Sequence, residues 1–516
     1  MFNLSTILEH HARSSPTKEA LIFADKRITF GHLDAATNQI ANGLKALGIG
    51  HGDKVALTCP NLPYFPMIYF GILKTGAAVV PLSVLLKRNE IAYHLQDSDA
   101  KAYFCFVGTP EMPMGQEGYA GFGMTDSCQH FFMITPSPTD ASPIEGTQTM
   151  GMLMAGRSPK FESFPTSPDD TAVIIYTSGT TGRPKGAELT HSNLFLNASL
   201  SKDLMDLGPD DKSMLVLPLF HIFGQTVCML ASIYRGTTAV LVPRFDAELV
   251  LTLMQNEKVT HFAGVPTMYW GLLSYPDTHK FDMLAIKNTL KLCMSGGAAL
   301  PVQVLRDFEQ KFDVPILEGY GMSEGSPVVT FNQKDRPRKD GSVGTPVWGV
   351  EVCIMDEQGN QLGANEKGEI CYRGHNVMKG YYKRPEATAE AIIDGWLHSG
   401  DIGIRDEDGF YFIVDRTKDM IIRGGYNVYP REVEEAMMKH PAISMVAVIG
   451  VPHNEYGEEI KACVVLKPNE TISDKELISW TKEQIASYKY PRVIEFMNTL
   501  PMGASGKILK RELRGE

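Results

Sequence analysis

Small hydroxyl residues, glycines and one lysine crowd into Tyr176-Thr177-Ser178-Gly179-Thr180-Thr181-Gly182-Arg183-Pro184-Lys185-Gly186. Backbone N–H groups and hydroxyls at this density can wrap a polyphosphate, with the lysine as counter-charge. The run follows an apolar, strand-like segment, 171–176, as phosphate loops do. It is not a Walker A loop, which has Gly directly before Lys; here Pro184 holds that place. A solvated surface turn draws on the same residue types, but without reason to embed a lysine in them.

Other blocks carry chemistry of a compatible kind. Glu318-Gly319-Tyr320-Gly321-Met322-Ser323-Glu324 follows the apolar run 314–317. A glycine-flanked aromatic there can stack on a purine, and the two glutamates can accept hydrogen bonds or hold Mg²⁺, which prefers oxygen ligands and substrate phosphates. A plain strand-to-helix turn with an inward aromatic would look the same. The stretch also fits G-x-S-x-G at Gly321 to Gly325, the nucleophile elbow of a serine hydrolase. His375, His398, His440 and His453 lie downstream to complete such a set. That reading leaves the 176–186 loop without a purpose.

Ser399-Gly400-Asp401-Ile402-Gly403 places one carboxylate between glycines, where it can take both hydroxyls of a ribose or simply cap a β-turn. Arg416 follows closely enough to meet the same sugar or a phosphate. Lys507 tips a loop of small residues, 501–507, either as a solvated cation or as one that a separate domain swings into a site. His221, among the aromatics of 217–224, has no second ligand nearby and reads as a pocket wall, not a metal ligand. Ser295-Gly296-Gly297-Ala298-Ala299 reads as a close-packed wall that leaves room for a ligand.

These blocks need elements to hold them. Apolar runs such as 54–59, 77–82, 213–218 and 237–243 alternate with helix-like segments such as 64–73, 245–256 and 301–312. That pattern predicts largely parallel sheets covered on both faces. From about 343 to 414, short strands (351–355, 368–372, 410–414) joined by Gly/Asp/Asn turns predict an antiparallel β unit. After the charged segment 415–419 come a helix (430–440), two strands (445–449, 461–466) and a second helix (474–486), enough for a separate α+β domain. Residues 108–169, rich in Met, Gly, Pro and Ser, predict a variable lobe or loop region.

The chain has 516 residues, 43% hydrophobic and 21% charged, the composition of a soluble globular protein of two to four structural units. A net charge of −11 argues against non-specific nucleic-acid binding. The eight cysteines include no C-x-x-C pair, which predicts a reducing compartment and neither a zinc site nor a disulfide framework. The N-terminus is not patterned as a signal peptide. No apolar run is long enough to span a membrane, and the last residues are not a peroxisomal address. A cytoplasmic enzyme is expected, a monomer or a homodimer, with peripheral membrane contact left open.

Taken together, the blocks resemble the AMP-forming adenylate superfamily: acyl-CoA synthetases, peptide-synthetase adenylation domains and luciferases. Six blocks match in the family's order over about 330 residues. The resemblance implies an α/β fold. A large N-terminal domain, 1–416, would hold two mostly parallel sheets with flanking helices (about 1–340) and a β-barrel-like subdomain (about 341–416). A mobile α+β domain, 417–516, would follow. It implies ATP, Mg²⁺ and coenzyme A as co-substrates and cofactor, with Lys507, Glu324 and Lys185 catalytic. Nucleotide contacts would come from Thr177, Ser178, Gly179, Thr180, Thr181, Gly182, Lys185, Gly297, Ala298, Glu318, Gly319, Tyr320, Gly321, Ser323, Asp401 and Arg416. Glu324 and Thr180 would serve the metal. Ser323 stands where the family more often has threonine, which keeps the hydroxyl.

Lys418 falls at the family's hinge, where some members have aspartate. Gly424, Gly425 and Tyr426 would line the coenzyme A path. The acyl pocket would draw on Phe220, His221, Gln225, Val265, Met268, Gly296, Gly297, Ser326 and Val328, a small and apolar set that suits an uncharged tail. The expected reaction joins a carboxylic acid to coenzyme A through an acyl-AMP. A medium- or long-chain fatty acid is the expected substrate, with an aromatic acid of the coumarate or benzoate type as the alternative, and a hydrolase using Ser323 as a more distant one. The absence of a fused carrier domain favours free coenzyme A as acceptor.

Overall fold

The computed structural model describes residues 2–177, 183–416 and 419–515. The chain builds three bodies of sheet and a small fourth one, in the order the alternating pattern predicts.

Strands Lys54–Thr58, Ala78–Pro81, Ala100–Phe106 and His130–Ile134 pair in parallel at the heart of one sheet. They are apolar along both faces because helix Tyr64–Lys74 covers one face and helices Arg88–Asp97 and Met114–Phe122 cover the other. Strand Thr171–Thr177 adds in parallel to Ala78–Pro81, and the chain then returns antiparallel through Lys185–Thr190. The phosphate-type loop is therefore the connection of a hairpin at the edge of the parallel core. Residues 178–182 of it lie outside the described residues.

The second sheet sets Lys212–Leu215, Thr238–Leu241, His261–Gly264, Leu292–Ser295 and Ile316–Gly321 in parallel. An N-terminal hairpin, Glu19–Phe23 with Lys26–Thr29, closes one edge: Glu19–Phe23 pairs in parallel with Thr238–Leu241. Sequence pattern alone did not predict that long-range pairing. The 108–169 segment also departs from expectation. It holds helix Met114–Phe122 and strand His130–Ile134, whose Phe131, Phe132, Met133 and Ile134 are buried, so it completes the first sheet. The Met and Gly content that suggested a loop serves close helix–strand packing: a Cβ on Gly118 would lie 2.5 Å from Cys105 Sγ.

The antiparallel unit is a five-stranded sheet containing Val350–Met355, Gly368–Gly374, Trp396–Arg405 and Tyr411–Arg416. The last domain packs helices Pro430–Met437 and Asp474–Gln484 on a sheet centred on the long hairpin Ile443–His453 and Gly457–Leu466. The segment 217–224 runs into a π-helical stretch, Gly224–Leu230, which the sequence did not announce. Among the described residues no helix is long and apolar enough to cross a membrane.

The two large sheets are fastened by one buried amide. Asn61, 2% exposed, donates to Leu215 O (3.0 Å) and Leu217 O (2.9 Å) and accepts from Leu219 N (2.9 Å). Asn61→Ala leaves Leu217 O and Leu219 N without a partner, while Leu215 O keeps the Val242 N–H at 3.1 Å; the cost is roughly 1–3 kcal/mol for each group left unsatisfied. The expected outcome is a loss of about 3 kcal/mol or more in chemical denaturation, with the far-ultraviolet dichroism of the folded state unchanged.

Candidate active site

The C-terminal ends of parallel strands leave a crevice where ligands bind in open α/β sheets. Here it is a cleft of about 1350 Å³ between the two large sheets, the antiparallel unit and the tip of the last domain. Thr177, Lys185, Phe220, His221, Gly296, Gly297, Gly319, Tyr320, Gly321, Ser323, Glu324, Val328, Asp401, Arg416 and Lys507 all line it. Residues more than three hundred positions apart therefore share one cavity.

Lys507 reaches the cleft from the last domain. Its turn is closed by Gly503 N–H on Lys507 O (2.8 Å) and Gly506 N–H on Gly503 O (2.9 Å). Thr267, at the start of helix Pro266–Ser274, fixes the turn by donating to Gly506 O at 2.8 Å. Trp270 of the same helix packs against a buried cluster of the last domain that includes Met445, Val465 and Leu500. The lysine stem passes over Gly297, where a Cβ would lie 3.1 Å from Lys507 Cε; Gly297 also has φ +78°, so only glycine suits that position. Burial in the cleft, reinforced by the nearby Arg416 cation and only partly offset by Asp401, lowers the Lys507 ammonium to a pKa of about 8.

Asp401 sits at the centre of a bonded set. Tyr320 Oη donates to Asp401 Oδ2 (2.6 Å), and Arg416 Nε meets Asp401 Oδ1 at 3.0 Å. The backbone that carries Asp401 is a bulge. Glu369 pairs with Ile402 and Cys371 with His398, so the third strand spends extra residues, 399–401, opposite the second. Gly400 takes φ +72° in the bulge, and its N–H donates to Glu369 Oε1 at 2.7 Å. Ser399 Oγ donates to Ile370 O (2.6 Å) and accepts from Asp401 N (3.1 Å).

At the phosphate-loop end, Glu324 Oε1 accepts from Thr177 Oγ1 (3.1 Å) and from Tyr381 Oη (2.9 Å). Lys185 Nζ lies 4.6 Å over the Tyr381 ring. Tyr93 Oη holds Pro184 O at 2.7 Å, which sets the loop's exit. Tyr381 and Tyr93 were missed from sequence. Tyr381 stands in a two-residue strand, Gly380–Tyr381, too short to give a pattern, and Tyr93 on a helix far upstream.

Several expected residues lie elsewhere. Glu318 turns away from the cleft into a small polar cavity with Asn332 and Arg338, because alternate strand residues face opposite sides. Burial raises its carboxyl to about 7, against the pull of Arg431 on the last domain. Ala298 is exposed beyond the turn and is not part of the cleft wall. Val265 and Met268 face the 503–507 turn instead, with Val265 Cγ2 2.9 Å from a Cβ built on Gly506. Gln225 and Ser326 are fully buried behind the wall, without hydrogen-bond partners for their side chains. Gly424, Gly425 and Tyr426 occupy an exposed turn of the last domain, outside the cleft. Ser178, Gly179, Thr180, Thr181, Gly182 and Lys418 fall outside the described residues.

The hydrolase alternative finds no support in the geometry. Ser323 begins a short 3₁₀ turn, Ser323–Gly325, not the α-helix of an elbow. His375 is bonded to Trp348 O and His398 to Glu369, while His440 and His453 stand in the last domain; none is bonded to Ser323. His221 shares the cleft, but its Nδ1 accepts from Phe223 N (3.2 Å), and burial followed by the Lys507 charge lowers it to about 3, so it is a neutral wall residue.

Two parallel sheets, a cleft at their strand ends and a small domain that inserts one lysine are the build of an adenylate-forming enzyme. The chain belongs to the AMP-binding enzyme family: the family's model matches residues 8–382, and that of the AMP-binding enzyme C-terminal domain matches 432–507. It is 37% identical to a long-chain-fatty-acid–CoA ligase of Bacillus subtilis (strain 168), over 99% of this chain and 94% of that one. It is 36% identical to a feruloyl-CoA synthase of an Amycolatopsis species, over 98% and 96%. Among solved structures it is similar to an anthranilate CoA ligase in complex with anthranoyl-AMP, with a TM-score of 0.91 and 30% identity over 100% of this chain and 97% of that one.

The lowered Lys507 has a measurable consequence. Above pH 8 the ligand-free ammonium is increasingly deprotonated, and an anion bound beside it raises its pKa again. ATP binding near pH 8.5 should therefore take up a proton. Calorimetry in buffers of different ionisation enthalpy should show this uptake, and Lys507→Gln should remove it.

Proposed function

We propose that the protein activates a carboxylic acid with ATP and passes the acyl group to coenzyme A. The observation that carries this reading is Lys507, an ammonium of a separate domain held inside the cleft that also holds Asp401, Arg416 and Tyr320. A carboxylate is a poor acylating agent because its leaving group would be oxide. Attack of the carboxylate oxygen on the α-phosphorus of ATP forms the acyl–O–P bond and expels pyrophosphate, and the acid oxygen then leaves as part of AMP. In the second step the coenzyme A sulfur forms the thioester bond, its proton goes to solvent, and AMP departs.

Each residue has a part in that chemistry. Asp401 takes the ribose hydroxyls and Arg416 fixes Asp401. The Tyr320 ring stacks on the base beside Gly319 and Gly321. Lys507 donates to the oxygens that meet in the first step, where two anions must approach each other, and a fixed cation in a cleft costs no reorganisation. Lys185 and the 177–182 loop hold the outer phosphates. The oxygen donors of Glu324 and Thr177 fit Mg²⁺, which prefers such ligands. When bound there the ion supplies charge neutralisation to the phosphates.

Phe220, Phe223, Val227, Val328 and Phe331 offer the acid an apolar bay, floored by Gly296 and Gly321. That bay suits a medium- or long-chain fatty acid, in keeping with the Bacillus relative. An aromatic acid is the second reading, favoured by the feruloyl-CoA synthase relative and by the likeness to the anthranoyl-AMP complex. The exposed Gly424–Gly425 turn becomes the coenzyme A path when the last domain turns about Lys418, which withdraws Lys507 for the second step.

Purified protein should exchange radiolabelled pyrophosphate into ATP only when an acid is present, and a panel of acids assayed for AMP release fixes the substrate class. Lys507→Ala should lower the exchange at least about a hundredfold, as removal of a transition-state donor does, while thioester formation from supplied acyl-AMP stays within a few-fold of wild type. Equal loss in both half-reactions would refute the two-position account.

A further inference from the structure

Beyond this machinery, one row of metal-ligating side chains crosses the antiparallel sheet. Cys353 lies directly across from Cys371, and Cys371 directly across from His398, on three neighbouring strands. Directly opposed residues of antiparallel strands project to the same face. Glu369, two residues before Cys371, shares that face. The donors converge: His398 Nδ1 is 2.7 Å from Glu369 Oε2 and 3.4 Å from Cys371 Sγ, and these three ligand atoms all lie within 4.8 Å of one another. Cys353 and Cys371 belong to one small buried cluster with Trp396 packed against it. Glu369 and His398 line the cleft, which gives an ion a way in from solvent.

The sequence reading excluded zinc because no two cysteines stand close along the chain. A row across a sheet needs no such spacing, since the strand register brings its members together.

We infer that Cys371, His398 and Glu369 form a site for a thiophilic divalent ion of the Zn²⁺ type, with water in the fourth position. One thiolate, one imidazole and one carboxylate make a three-donor set that such ions accept. Binding exchanges a proton for the ion. The Cys371 Sγ–H releases its proton, His398 binds through Nδ1 with its proton on Nε2, and Glu369 binds through Oε2. Glu369 Oε1 keeps the Gly400 N–H, so the ion's outer support is the same bulge that carries Asp401. Burial raises the free Cys371 thiol, so ion-free protein keeps it protonated. The inference does not depend on which acid the enzyme uses.

The test uses the reduced, full-length protein titrated with Co²⁺ as a spectroscopic stand-in for Zn²⁺. The expected result is a thiolate-to-cobalt charge-transfer band that saturates at one equivalent and is abolished by added Zn²⁺. Cys371→Ser should remove the band, and His398→Asn should reduce affinity at least about tenfold. Cys463→Ser, in the last domain, should leave it unchanged. Matching melting curves for the ion-free variants and wild type separate lost ligation from lost folding. No charge-transfer band, or a band that survives Cys371→Ser in a folded protein, would overturn the site.

Discussion

The structure depends on keeping one ammonium group where water would rather have it. Lys507 enters a cleft beside a second cation, Arg416, and its charge is disfavoured there without an anion to meet it. Thr267 on the turn and Trp270 against the last domain's apolar cluster hold it in place from outside the cleft, and Gly297 in the cleft wall yields space beneath the stem. The energy that desolvates the lysine thus comes from a domain interface. A docked domain and a phosphate-bearing ligand stabilise each other, which is the linkage expected of two parts that complete one site.

Asp401 shows the same division of labour within a single sheet. Its carboxylate is oriented by Tyr320 on one oxygen and Arg416 on the other, and its backbone is set by a bulge that Glu369, Ser399 and Gly400 define. A regular strand would send successive side chains to alternate faces. The bulge spends extra residues to aim one carboxylate at the cleft while the strand still pairs on both sides.

The alternation of strands and helices, the antiparallel unit and the small last domain were all legible in sequence, because continuous apolar runs and turn-rich short strands carry their own periods. Glycine and hydroxyl clusters marked the cleft well: Thr177, Gly297, Tyr320, Asp401 and Lys507 arrive there together. What stayed hidden was side-chain direction and distant pairing. Glu318 faces the wrong side of its strand, and Val265 and Met268 serve the lysine turn instead of the acyl bay. Tyr381 belongs to a strand of two residues, which no period can announce. The Cys353, Cys371 and His398 row exists only in the register between strands.

The N-terminal hairpin has a further meaning. Strand Glu19–Phe23 finds its partner in Thr238–Leu241, with all of the first large sheet except its edge strand Gly380–Tyr381 made from the chain between them. During synthesis this hairpin must wait, with one edge of Glu19–Phe23 open, until more than two hundred further residues have emerged. The cost of closing so long a loop grows only slowly with its length, but the delay is real. The second sheet therefore matures after the first, and its border against intermolecular pairing is sealed by the oldest part of the polypeptide.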